Sequence, residues 1–150
     1  MDPKTEDLIW QDDGSPRSTL FDDPYFSASG GLAETRHVFL AGNDLPARFR
    51  NGFHIAELGF GTGLNLLAAW QLWIDSGQKT PLRFTSFEAY PFSHDDMRKA
   101  HKVWPELTAL STTFLAHWPC TSLRLPTLHF DLITGDARST LPKWQGMADA

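Results

Sequence analysis

The stretch Glu57-Leu58-Gly59-Phe60-Gly61-Thr62-Gly63 constrains this chain more than any other. Ile55-Ala56 leads into it through Leu58 as a short buried strand. Leu64-Asn65-Leu66-Leu67-Ala68-Ala69-Trp70 follows it as a buried helix. Strand, glycine turn, helix is the unit by which an α/β domain brings its backbone close to a nucleotide-like ligand.

The glycines follow the spacing Gly-x-Gly-x-Gly, with an acid two residues before the first. The dinucleotide fingerprint places its third glycine at the sixth position, and Leu64 stands there instead. An acid in the strand with closely spaced glycines suits S-adenosylmethionine, which has no pyrophosphate to seat on a helix N-terminus. Gly59, Gly61 and Gly63 remove the Cβ atoms that would block its methionine and ribose. Glu57 then faces its ammonium group, directly or through water.

A chain of 150 residues is one domain by default and buries roughly 70% of its unfolded surface. Hydrophobic residues at 41%, with six Trp and eleven Phe, supply the core. The single Cys120 excludes an intrachain disulfide and a Cys-rich zinc site, and it fits a reducing cytoplasm. No apolar run approaches the ~20 residues of a membrane span. The acidic N-terminus is unlike a signal peptide. A net charge of −5, with dispersed cations, argues by itself against strong phosphate binding.

Along the chain, Leu8-Ile9-Trp10 reads as a strand, residues 13–14 as an Asp-Gly turn, and residues 17–21 as a second strand. An aromatic, acidic loop follows at residues 21–27. A helix is expected over 32–40, with Leu32, Arg36, Phe39 and Leu40 near one face and Gly42-Asn43 as its end. The glycine-loop helix runs to Asp75 and stops at Gly77. Residues 83–88 form the second core strand. Ser93 caps a helix with Asp95 and Asp96 in its first turn and Met97, Ala100, Val103 and Trp104 on its inner side. Pro105 breaks that helix. Leu107, Leu110, Phe114 and Trp118 mark another. Residues 128–134 form the third core strand, before Gly135-Asp136 and a short helical turn.

This order predicts the N-terminal part of an α/β, Rossmann-like fold, preceded by a β-hairpin and helix: residues 1–50, then 51–150 as the first half of the domain. The strand order is expected to be 3-2-1, with the glycine-loop strand at an open edge. The chain stops where a fourth strand should begin. Self-association through that edge is therefore an expectation.

Three acids carry the candidate chemistry. Glu57 has been placed above. Glu88 closes the second strand, where a carboxylate can accept from both ribose hydroxyls of an adenosine; otherwise it is a solvated strand-end Glu. Asp136 closes the third strand, where it can accept from an adenine amino group beside the Ala137 N–H, or cap the short helix, or both. Asn65 bonds either the cofactor or the loop backbone. Phe60 and Thr62 shape the loop, with Phe60 lining the site wall. Tyr25 and Phe26 stack on a substrate base, or cover the methionine end of the cofactor, or staple the hairpin to the domain. The six histidines show no metal-ligand spacing, and no Ser-His-acid or Cys-His set can be argued from the order.

These residues resemble one family closely: the methyltransferase domain of the tRNA enzyme that forms 5-methylaminomethyl-2-thiouridine at the wobble position. The resemblance runs through Asp13-Gly14-Ser15-Pro16, Phe21-Asp22-Asp23-Pro24-Tyr25-Phe26-Ser27 and Gly31-Leu32-Ala33-Glu34-Thr35-Arg36-His37-Val38-Phe39-Leu40. It continues through Gly42-Asn43-Asp44-Leu45, the glycine loop with Leu64-Asn65, Ser86-Phe87-Glu88, Trp104-Pro105-Glu106-Leu107 and Gly135-Asp136. It implies S-adenosylmethionine as cofactor, tRNA as partner, and methyl transfer to the exocyclic amine of 5-aminomethyl-2-thiouridine. In many bacteria the same polypeptide continues into an FAD-dependent oxidase domain, and nothing in residues 1–150 resembles it. In the family, residues 149–150 lead into a fourth strand ending in an Asp-Gly-Phe motif that faces the methyl group. The chain stops before that motif, so no catalytic residue is carried over. The expectation is a fragment that binds cofactor without turnover. Rival readings are a methyltransferase with a non-tRNA acceptor and a catalytically silent binding module. A nicotinamide dehydrogenase is disfavoured by Leu64.

Overall fold

The structure is a computed structural model that describes residues 8–18 and 30–150. Tyr25 and Phe26, with the rest of their loop, lie outside the described residues.

Strands β1 (Leu8–Trp10) and β2 (Pro16–Ser18) form the expected antiparallel hairpin. Its turn closes through Gly14, whose φ of +84° an L side chain adopts only with strain. Ser15 donates both its N–H and its hydroxyl to Asp13 Oδ1. The helix expected over 32–40 is α-helical only as α1 (Gly31–Glu34). It widens into a π-helical segment at Thr35–Leu40 and tightens into a 3₁₀ turn at Ala41–Asn43. The wider turn changes the buried face: Leu32, Thr35 and Leu40 are buried and Arg36 is exposed. Asp44, at φ +55°, ends the run in the left-handed conformation instead of Gly42.

The main sheet has four strands: β3 (His54–Leu58), β4 (Leu82–Glu88), β5 (Ser122–Leu125) and β6 (Leu128–Thr134). Their spatial order is β3-β4-β6-β5. β3, β4 and β6 run parallel, giving the expected 3-2-1 order. β5 is an addition the sequence did not predict. It pairs antiparallel with β6 through a turn at residues 126–127, and Arg124 on β5 forks onto Asp131 of β6 at 3.0 and 3.1 Å.

Helices α2 (Leu64–Asp75), α3 (His94–His101) and α4 (Thr108–Leu115) cover one face of this sheet; a 3₁₀ turn at Pro105–Leu107 precedes α4. That face carries Ile55, Phe84, Phe130 and Leu132, all buried. Leu66, Leu67, Trp70, Trp73, Met97 and Phe114 pack against it from the helices. The strict alternation of β6, buried at 128, 130 and 132, matches one-sided burial. On the other face Trp144 packs edge-on to His54 and Phe87. Among the described residues no helix is long and apolar enough to cross a membrane.

The outer edge of β3 is not open along its whole length, which corrects the expectation. Ala150 N–H and Asp149 N–H both reach the His54 carbonyl, and Ala56 N–H donates to the Ala150 carbonyl at 2.9 Å. This is the bond pattern of a parallel ladder. Asp149 anchors it, accepting from His54 N–H at 2.9 Å and from Arg50, while Arg48 bonds its carbonyl. The His54 N–H first, and Arg50 with it, holds the Asp149 carboxyl below the usual carboxylate range. The folded pKa is depressed, so the anchor is complete at neutral pH and is lost as pH falls through that lowered value. Asp149→Ala is expected to lower the protection factor of the Ala56 amide several-fold at neutral pH. Acidification of the unaltered chain through the Asp149 titration should lower that factor likewise, after correction for the slower intrinsic exchange at low pH.

Candidate cofactor site

The site forms where β3 ends. Gly59 (φ +83°), Gly61 (φ +53°) and Gly63 (φ +77°) all hold left-handed backbone, so the chain reverses within five residues and enters α2. Gly59 N–H donates to Phe87 O at 2.7 Å, continuing the pairing with β4, and Gly63 N–H closes a turn onto Phe60 O at 3.0 Å. A Cβ built on Gly59 would meet nothing within 4 Å, so this side of the loop is open to a ligand.

Phe60 corrects the expectation that it lines the site wall. Its ring is 4% exposed and points into the core, within 5.1–6.0 Å (centroid to centroid) of Phe114, Trp118 and Phe130. A Cβ on Gly63 would stand 3.0 Å from its Cζ. The loop is therefore shaped from below by a core aromatic, and Gly63 is bare because that ring passes beneath it.

Two carboxyls flank the loop. Glu57 Oε1 accepts from Ser86 Oγ at 3.0 Å and Oε2 from Asn65 Nδ2 at 3.1 Å. Asn65 thus holds Glu57, a partner the sequence did not foresee for it. Burial, and then the nearby Glu88 charge, push the Glu57 carboxyl up to about 8 despite those two bonds. Glu88, half-buried at the end of β4, accepts from Gly61 N–H at 2.8 Å and from Tyr90 N–H at 3.3 Å. It is tied to the glycine loop and is no free strand-end acid.

Asp136 follows β6 and takes the N-cap of α5 (Ala137–Thr140). It accepts from Arg138 N–H at 2.9 Å and pairs with the Arg138 guanidinium at 2.6 Å. Arg138 holds its carboxyl below the usual range. The backbone joins this end to Glu88 through Gly135 N–H to Glu88 O, 3.0 Å. Glu57, Glu88, Asp136 and Ala137 therefore stand in a row at the C-terminal ends of three adjacent parallel strands, where open α/β sheets bind ligands.

One residue of this region escaped the sequence reading. His101, buried at the end of α3, lies 2.7 Å from Thr62 O. Its two neighbours are 39 and 10 residues away, so only the fold brings it to the loop.

The mixed sheet with its parallel core, the helices on one face and the glycine loop define a Rossmann-like α/β domain. The crystal structure of MnmC2 from Aquifex aeolicus matches it with a TM-score of 0.71 at 20% identity, covering 98% of this chain and 50% of that one. No family profile matches the chain. Among curated proteins, a protein of Caulobacter sp. (strain K31) is 45% identical over 166 residues, covering 99% of this chain and 27% of that protein. A Vibrio cholerae protein is 44% identical, covering 95% and 24%, and one from Azoarcus sp. (strain BH72) is 42% identical with the same coverage. All three bear the name tRNA 5-methylaminomethyl-2-thiouridine biosynthesis bifunctional protein MnmC. Over 95–99% of its own length this chain is similar to proteins of that name, and it spans about a quarter of the length of the curated relatives it matches.

Proposed function

We propose that this chain holds S-adenosylmethionine against its glycine loop and serves methyl transfer to the exocyclic amine of 5-aminomethyl-2-thiouridine at the tRNA wobble position. The observation that carries the cofactor reading is the pair Glu57 and Glu88, converging on an open glycine loop from two adjacent strand ends. The names of the curated relatives support the tRNA acceptor. We read residues 1–50 as an N-terminal hairpin, aromatic loop and helix, and 51–150 as the first half of the methyltransferase domain.

The donor set fits the ligand. Glu57 is a half-buried, poorly solvated carboxyl that gains by meeting a cation, and the cofactor's ammonium supplies one. Glu88 keeps lone pairs beyond those given to Gly61 and Tyr90, enough for ribose hydroxyls. Asp136 and the Ala137 N–H offer an acceptor and a donor for an adenine edge. When bound, the cofactor supplies a methyl group already activated by its sulfonium. The chain's task is then alignment: an amine held in line gains up to ~10 kcal/mol of barrier in ideal cases. Proton removal from that amine is assigned to no residue of this chain. The second activity implied by the relatives' word "bifunctional", FAD-dependent oxidation by the earlier resemblance, is likewise assigned to none.

The test is a ¹H–¹⁵N titration with S-adenosylhomocysteine. Saturable shifts at the amides of Gly59, Gly61, Gly63, Glu88 and Ala137 are expected. A dispersed spectrum that does not move would leave a silent binding module as the better reading. Methylation of tRNA lacking the final methyl, followed by mass, then tests the acceptor in a longer protein containing this chain.

A further inference from the structure

The acids approach the glycine loop from its ligand side; His101 holds it from behind. His101 is 5% exposed, with Nε2 2.7 Å from Thr62 O and Nδ1 2.7 Å from Ser111 Oγ on α4. A carbonyl only accepts, so Nε2 carries the proton, and the neutral ring takes the Ser111 hydroxyl proton at Nδ1. One imidazole thereby joins α3, α4 and the loop.

The bonded atom matters. The Thr62 carbonyl and the Gly63 N–H belong to one planar peptide unit. Fixing the carbonyl inward fixes the N–H on the opposite side, where it closes the turn onto Phe60 O at 3.0 Å. Turning that peptide changes ψ of Thr62 and φ of Gly63, and Gly63 is at positive φ. Glycine populates both signs of φ about equally, so the Gly63 side of the peptide offers little intrinsic resistance to rotation. The Phe60 ring limits Gly63 from below and the Phe60 carbonyl accepts from the peptide's N–H, but neither is a donor to the Thr62 carbonyl. Among the described contacts His101 is the group that holds the Thr62 carbonyl.

We propose that His101 is a positioning residue for the cofactor loop: its Nε2–H sets the Thr62-Gly63 peptide in the orientation that ligand binding uses. The proposal rests on the reading of this loop as the cofactor site. It acts through the backbone, so the side chain need not touch the ligand.

His101→Gln and His101→Asn separate this role from simple core filling. A glutamine amide nitrogen reaches about where Nε2 stood, whereas an asparagine amide reaches only the Nδ1 position beside Ser111. Two readouts are needed: hydrogen exchange at the Gly63 amide in the ligand-free protein, and the calorimetric Kd for S-adenosylhomocysteine. In the Asn variant, Gly63 exchange should rise about tenfold and affinity should fall about tenfold, the size expected when one buried acceptor loses its donor. In the Gln variant both should stay within about threefold of the unaltered chain.

Equal behaviour of the two variants, whether both intact or both impaired, overturns the proposal. If the Asn variant does not fold, the Gln variant still decides, because loss of Gly63 protection or affinity there is fatal. If the exchange pattern holds while the unaltered chain binds no S-adenosylhomocysteine, the clamp stands. The cofactor reading then falls, and with it the claim that the clamp serves a ligand.

Discussion

S-adenosylhomocysteine will bind this chain more than tenfold more tightly at pH 8 than at pH 6, with the release of one proton. Glu57 is the reason. In the free protein its carboxyl is pushed up to about 8, by burial first and by the neighbouring Glu88 charge second, against the hydrogen bonds from Asn65 and Ser86. A ligand ammonium selects the ionised form, so below that pKa each pH unit removes roughly tenfold of the binding-competent population. Calorimetry in two buffers of different ionisation enthalpy counts the proton directly. Glu57→Gln should bind more weakly than the unaltered chain at pH 8 and show no such pH dependence. A flat affinity and no proton release in the unaltered chain would contradict this role for Glu57. The same group acts on stability with a definite sign. Its folded pKa lies above its ordinary 4.5, so the folded state keeps a proton that the unfolded state gives up. Stability of the ligand-free chain therefore falls as pH rises from about 4.5 to about 8. Thermal melts across that range should show the fall, and Glu57→Gln should remove it.

That prediction needs both the sequence and the fold, and the division between them is physical. Glu57, Glu88 and Asp136 were legible as a set because parallel strands end on the same side of a sheet, and each acid closes an apolar run of strand length. The ordering of β3, β4 and β6 followed for the same reason. β5 was not legible: four residues, Ser122-Leu123-Arg124-Leu125, between Pro119 and Pro126, carry too short an alternation to outweigh the turn signals. The π-helical widening at residues 35–40 was hidden because helical spacing does not distinguish the two periods over so short a run. Phe60 was misplaced for another reason. A residue between glycines can present its ring to either side, and only Phe114, Trp118 and Phe130 decide which. His101 and Asp149 depend wholly on distant partners, Thr62 for one and His54 with Arg50 for the other.

The same aromatic cluster carries the largest expected loss of stability. Phe60→Ala should destabilise the chain by about 3–5 kcal/mol, the range for deleting a buried phenyl ring. A domain of this size has only about 5–15 kcal/mol in hand, so the variant should melt far below the unaltered chain in a thermal scan. The loss reaches the site because the loop rests on that ring: Gly63 sits directly above Cζ, and the Gly63 N–H bonds the Phe60 carbonyl. Phe60→Leu divides the two effects. It keeps most of the apolar volume and should recover much of the melting temperature, but a leucine does not reproduce the flat surface under Gly63, so the exchange of the Gly63 amide should remain fast. Gly63→Ala approaches the same contact from above. It places a Cβ about 3.0 Å from the ring at a φ of +77°, so strain and crowding add. It should cost about 1–3 kcal/mol of stability and lower cofactor affinity more than its melting temperature alone would imply. Affinity unchanged in Gly63→Ala, with the melting temperature lowered, would separate the loop's shape from its ligand role and assign the contact between Phe60 and Gly63 to folding alone.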